Sequence, residues 1–316
     1  MPHRALLAGK VVLFLAVLAA AALATSGASA SQVLKCLDEA PTIVGTPGDD
    51  TIVGTSDDDV IVGLTGNDTI YGLDGIDLIC GGEGNDTVDG GPDMDGLVAD
   101  AGDDRLDGSD DDLDIVFFLD APGPVQASVA TGTATGFGTD TLVNVEALVG
   151  SPFADTLEGD ANDNYFDGQP GDDRLTAGEG DDFLDGDAGN DVLDGGPGRD
   201  IGCYCWAPAG VNVNLARGTA VGWGSDSLVG IENVLGSHYS DHLTGDAGPN
   251  SLNGHGGADV VVGGGGPDLL RGEQGNDVVS GGAGADRLDG GPGRDRLNGG
   301  PGRDRCYGGE RNRSCP

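Results

Sequence analysis

Positive charge is scarce in this chain. Its 316 residues hold 15 Lys+Arg against 54 Asp+Glu, a formal net charge of −39 at pH 7. Phosphate contacts need clustered Lys/Arg, so a nucleic-acid partner is excluded. Aromatic residues make up 4%, too few for a large aromatic core. Glutamate is rare as well: the acids divide into 46 Asp and 8 Glu. An acidic surface kept only for solubility would use both acids. An Asp excess points instead to turns, where the short side chain bonds nearby backbone or a cation.

Catalytic motifs are missing too. There is no G-x-S-x-G elbow and no P-loop. His238 and His242 stand four apart, but Tyr-Ser-Asp lies between them. That departs from the zinc motif H-E-x-x-H, and both read as surface residues in a turn. No Asp series followed by Gly and Glu has EF-hand spacing. The chain reads as noncatalytic.

Long apolar runs are confined to the first 30 residues. His3, Arg4 and Lys10 form a basic start, residues 11–23 are apolar, and Ala28-Ser29-Ala30 fits a small-residue cleavage site. Residues 1–30 therefore read as a secretory signal, too short in its apolar part to span a membrane comfortably. The mature chain is expected outside the cell, with no transmembrane segment. Six cysteines, at 36, 80, 203, 205, 306 and 315, suit an oxidising compartment.

What is abundant is glycine, at 61 residues. It does not recur every third residue, which excludes collagen. It recurs every ninth. Units start at Gly45, Gly54, Gly63, Gly72, Gly81 and Gly90, as in Gly63-Leu-Thr-Gly-Asn-Asp-Thr-Ile-Tyr71. Glycine holds position 1 and usually position 4, Asp position 6, and an aliphatic position 8. The register slips near Gly108 and returns over 150–200 and 236–307. Position 6 is Asp50, Asp59, Asp68, Asp77, Asp86, Asp95 and Asp104 in the first block. It is Asp155, Asp173, Asp182, Asp191 and Asp200 in the second, with Asn164 interposed. In the third it is Asp241, Asp259, Asp268, Asp277, Asp286, Asp295 and Asp304, with Asn250 interposed. These are 19 aspartates in register.

One aliphatic per nine residues cannot build a helix, which needs three or four per two turns. It fits a three-residue strand whose middle side chain points inward, preceded by a six-residue turn. If two units make one coil, residues 18 apart stack and the aspartates form two rows. Stacked carboxylates repel. Oxygen ligands from carboxylates and backbone carbonyls are what Ca²⁺ takes, six to eight per ion.

This pattern is the nonapeptide GGxGxDxUx, and the chain resembles the RTX, or haemolysin-type calcium-binding repeat, family. The resemblance covers most of residues 45–307. It implies an all-β parallel β-roll (a β-solenoid) with multiple Ca²⁺ between turns, held by the 19 position-6 aspartates and backbone carbonyls. On the order of a dozen sites are expected from paired turns. Asn164 and Asn250 could ligate only through a neutral oxygen, and Arg313 at position 6 reads as a cap. Composition alone fits a disordered acidic chain, and disorder is the expected state without calcium.

Residues 114–168 align without gaps to 200–254, so two homologous β inserts interrupt the roll. The expected layout is signal 1–30, leader 31–44, roll 45–113, insert 114–149, roll 150–200, insert 201–235, roll 236–307 and cap 308–316. In the second insert, Val211-Asn-Val213-Asn-Leu215 alternates as a strand does, and 218–224 reads as a turn. Trp206, Trp223 or Phe137 is expected to pack over the stack edge. Cys306 and Cys315 share position 8 in consecutive units and are expected to bond across the core. A Cys36–Cys80 bond would tie the leader down. Cys203 and Cys205, two apart on a strand, have poor geometry for each other; a strained mutual pair is one reading, and leftover or intermolecular pairing is the one favoured. The function expected is a secreted, calcium-folded, noncatalytic roll. The alternatives are an adhesion module presenting its inserts to a glycan or protein partner, or a toxin or enzyme fragment.

Overall fold

Turns rich in Gly and Asp leave room for little more than three-residue strands, and such strands dominate the fold. The computed structural model describes residues 36–37, 39–109, 113–308, 311–312 and 315. The expected signal and Arg313 lie outside the described residues. Among the described residues the regular structure is β-strand, apart from one 3-10 turn at Leu215–Arg217. The chain is an all-β parallel solenoid that divides into two compact units.

The first unit comprises the described residues up to Phe117 together with Thr133–Ala147. Its coils alternate between two sheets, parallel except where Thr133–Thr135 pairs antiparallel with Thr139–Val143. One sheet stacks Ile43, Ile61, Ile79, Leu97 and Val116 in register. The other stacks Ile52, Ile70, Val88, Leu106 and Leu142. Strand Thr51–Val53 shows the reason: Ile52 is buried while its two neighbours are exposed. Alternation of period two places position 8 in the core and, in strands such as Thr51–Val53, positions 7 and 9 outside, whereas Gly96–Val98 and Ile115–Phe117 are buried throughout.

The second unit comprises Phe118–Gly132 and Leu148–Pro316. One of its sheets stacks Phe166, Leu184, Gly202 and Val234, then Leu252, Leu270, Leu288 and Cys306. The other carries Ala127, Leu157, Leu175, Leu193 and Leu228, and, beyond a change of direction, Val213, Leu243, Val261, Val279 and Leu297. At that change Asn212–Asn214, Thr219–Val221 and Ser225–Val229 form an antiparallel meander within the otherwise parallel sheet. The 3-10 turn joins the first two strands, with Asn214 Oδ1 accepting from the Arg217 N–H and Gly218 left-handed at φ 63°.

The sequence reading needs correction here in two places. Residues 218–224 are not simply a turn, because Thr219–Val221 is a strand. Trp206 is 44% exposed, and Trp223 and Phe137 are half-buried. Cys203 and Cys205 are bonded to each other, with Cα atoms 5.4 Å apart. The strand Asp200–Cys203 ends there, so the chain turns at Tyr204 and brings both side chains to one side. The remaining disulfides join Cys36 to Cys80 and Cys306 to Cys315.

Candidate metal centre

Position 6 lies at the end of each turn, immediately before the strand. There the backbone N–H would be buried without a partner unless the next coil supplied one. The next coil's aspartate does so. Asp50 N–H donates to Asp68 Oδ1 at 2.7 Å, Asp68 N–H to Asp86 Oδ1 at 2.7 Å, and Asp86 N–H to Asp104 Oδ1 at 2.9 Å. The opposite edge repeats this through Asp59, Asp77 and Asp95. In the second unit Asp155, Asp173 and Asp191 form one row, and Asn164, Asp182 and Asp200 another. Asp241, Asp259, Asp277 and Asp295 form a third row. Asn250, Asp268, Asp286 and Asp304 form a fourth. Of the 19 registered aspartates all but Asp50 are buried.

The rows run on into segments where sequence reading assigned no site. Asp104 N–H donates to Asp140 Oδ1, and Asp191 N–H to Asp226 Oδ1. Asp95 N–H donates to Asp114 Oδ1, Asp114 N–H to Glu146 Oε2, and Asp200 N–H to Glu232 Oε2. A signal was present for two of these. Gly138-Thr-Asp140-Thr-Leu142 and Gly224-Ser-Asp226-Ser-Leu228 keep positions 4, 6 and 8 of the unit but lack its opening glycine.

The second carboxylate oxygen divides the sites into two kinds. At the start of a row it is satisfied locally. Thr55 gives its N–H and hydroxyl to Asp59 Oδ2, and Thr46 does the same for Asp50. The Ser151 and Ser237 N–H groups serve Asp155 and Asp241. The neutral residues are row starts as well: Asn250 Oδ1 accepts from the Asp246 N–H, and Nδ2 donates to the Glu232 carbonyl at 2.9 Å. Farther along, Oδ2 is buried with no hydrogen-bond partner among the described residues. This holds for Asp68, Asp77, Asp86, Asp173, Asp182, Asp191 and Asp200, and for Asp259, Asp268, Asp277, Asp286, Asp295 and Asp304.

Burial drives several of the position-6 carboxyls upward. Asp77 and Asp86 are raised to about 6, Asp104, Asp182, Asp191 and Asp259 to about 7, and Asp173 to about 8. The accepted backbone N–H lowers each one, and neighbouring carboxylates raise it again. At Asp59 the upward push of burial is outweighed by hydrogen bonds from Thr42 and Thr55, which hold the carboxyl below its ordinary value.

Glycine at position 1 opens the space beside each Oδ2. A Cβ built on Gly63 would collide with both Asp68 Oδ2 and the Gly81 carbonyl oxygen, which comes from the next coil. Gly263 faces Asp268 Oδ2 and the Gly281 carbonyl in the same way. Carboxylate and carbonyl oxygens of successive coils therefore converge where no side chain intrudes. No cluster of three or more His, Cys, Asp or Glu side chains able to hold a metal is found among the described residues. The aspartates stand in single file, so a cation there must take its remaining ligands from backbone carbonyls. The donor set is hard oxygen, which suits Ca²⁺ rather than a thiolate- or imidazole-seeking metal. His238 and His242 are both exposed, and the partner of His238 is the ring of His255 at 5.6 Å.

Compared with known families, residues 44–79, 62–97, 146–175, 167–201, 235–270, 262–297 and 280–310 match the RTX calcium-binding nonapeptide repeat, described as four copies. No curated protein matches the chain.

Proposed function

We propose that this chain, which belongs to the RTX calcium-binding nonapeptide repeat family, is a noncatalytic roll that binds many Ca²⁺ ions and folds on doing so. The observation that carries the reading is the buried, partnerless Oδ2 that recurs from coil to coil. A buried polar atom with no partner costs about 1–3 kcal/mol, and more when charged. A row of them is tenable only if something absent from the polypeptide completes it. Position-6 aspartates and the facing carbonyls are the groups that would hold the ion, and calcium would supply the missing positive charge. With one core aliphatic per nonapeptide, burial does not offset the chain entropy of ordering the turns. Cation binding supplies the difference.

Export to a calcium-rich exterior is the setting this reading favours, where sites of ~10⁻⁴–10⁻³ M affinity fill. The expected N-terminal signal and three disulfides support it. Among the described residues no helix is long and apolar enough to cross a membrane. Circular dichroism during a calcium titration, followed by chelation, tests the proposal. β-structure should appear with calcium and disappear with the chelator. A spectrum that stays the same throughout rejects folding on calcium.

A further inference from the structure

The two inserts carry the same turn pattern but treat its aspartate differently. Gly138-Thr-Asp140-Thr-Leu142 and Gly224-Ser-Asp226-Ser-Leu228 occupy equivalent places in the gapless alignment. In the first unit, Leu142 stacks on Leu106, and Asp140 accepts the Asp104 N–H at 3.1 Å. A Cβ on Gly138 would strike the Gly102 carbonyl, so position 4 stacks there as well. Asp140 is 1% exposed, and its Oδ2 has no hydrogen-bond partner among the described residues. Asp140 therefore shares the stacking, burial and open Oδ2 of a position-6 residue, with Thr135 in place of the opening glycine.

In the second unit, Leu228 stacks on Leu193, Gly224 bridges Gly189, and Asp226 accepts the Asp191 N–H at 3.2 Å. Here Oδ2 is not open. The Tyr204 hydroxyl donates to it at 2.9 Å, and Tyr204 is 4% exposed. Burial and the adjacent Asp226 push the Tyr204 phenol well above its ordinary value, so it stays a donor. The residue aligned with Tyr204 is Phe118, which has no hydroxyl to offer. Ser237 on Asp241 repeats Ser151 on Asp155, so the Tyr204 hydroxyl is the donor that distinguishes the two inserts.

We propose that Asp140 is a calcium ligand and that in the second insert the Tyr204 hydroxyl takes the ion's place at Asp226. The first unit's row would then extend to Asp140, and the second unit's row would stop at Asp191. This rests on the calcium reading above and adds a rule to it. A row breaks where a side-chain donor, rather than a cation, completes the carboxylate.

Native mass spectrometry of the calcium-saturated full chain, which counts ions one by one, tests the rule with calcium chloride as the probe. Asp140→Asn should hold one ion fewer than wild type, and Asp226→Asn the same number. Tyr204→Phe should hold one more, and Tyr204→Phe/Asp226→Asn should return to the wild-type count. If Asp140→Asn keeps the full count, or Tyr204→Phe gains nothing, the proposal is overturned. Should Tyr204→Phe fail to fold, the contrast between the two asparagine variants still decides, since asparagine already occupies position 6 at Asn164 and Asn250. A wild-type chain with no bound calcium would instead sink the general reading.

Discussion

The stacking of position-4 glycines sets up a sharp stability test. Gly284 lies directly over Gly266. A Cβ added to Gly284 would stand 2.6 Å from the Gly266 carbonyl carbon and closer still to its oxygen. That obstacle is backbone, so it cannot swing aside as a side-chain tip could. Gly123, in the same unit, has nothing within 4 Å of a built Cβ. Neither glycine has a left-handed φ, so the comparison isolates packing from backbone strain. Gly284→Ala should cost about 1–3 kcal/mol, the usual range for overpacking. At about 2–4 °C per kcal/mol for a body of this size, the melting temperature falls by roughly 2–12 °C. Gly123→Ala should be neutral or gain about 0.4–1 kcal/mol, because it stiffens the unfolded chain. Thermal unfolding of both variants in saturating calcium, followed by far-ultraviolet circular dichroism, measures the difference. Equal melting temperatures would refute the claim that successive turns touch through these carbonyls.

Other consequences can be checked in the same assay. Folded-state carboxyls raised to about 7 at Asp104, Asp182, Asp191 and Asp259, and to about 8 at Asp173, exceed the ordinary 3.8. The folded, calcium-free chain thus holds more protons than the unfolded one between those values, and its stability must fall as pH rises from about 4 to 8. Calcium needs the ionised form, so the calcium concentration at the folding midpoint should rise as pH is lowered from 8 to 5; a midpoint independent of pH would contradict this. Leu270 is fully buried at the middle of its stack, and Leu270→Ala should cost about 2–5 kcal/mol by urea denaturation in calcium. The Cys36–Cys80 bond closes a separation of 44 residues, worth about 4 kcal/mol in chain-entropy terms. Cys36→Ser with Cys80→Ser should lower the urea midpoint accordingly.

The repeating part of the fold was legible because each position has one task. Val88 and Leu106 stack because position 8 is the apolar residue between polar neighbours, and Asp68 and Asp86 align because position 6 ends the turn. The inserts were less legible for the opposite reason. Thr219–Val221 looks like turn sequence, since Gly218 and Gly222 flank it, and only pairing with strands on both sides makes it a strand. Asp140 and Asp226 escaped notice because their units lack the opening glycine that set the frame. Asn164 and Asn250 looked like isolated substitutions. Only the rows reveal them as first rungs, where an amide can serve as both acceptor and donor. Cys203 and Cys205 depended on where a strand stops, which is poorly marked in a chain so rich in glycine.

The rows of N–H to carboxylate bonds also have a direction. Each coil offers its N–H forward, and the carboxylate that accepts it always arrives later in the chain. The first carboxylates are already served by Thr46 and Thr55 within their own turns. Position 5 runs the other way: Asn67 N–H donates to Asp49 Oδ1, Ile76 N–H to Asp58 Oδ1 and Asn190 N–H to Asp172 Oδ1, so a coil both lends a carboxylate to its neighbours and borrows one from them. A coil taken from the middle of a unit would strand an N–H on one neighbour and a carboxylate on the other, whereas an end coil strands groups on one side alone, so each stack is expected to open from its ends.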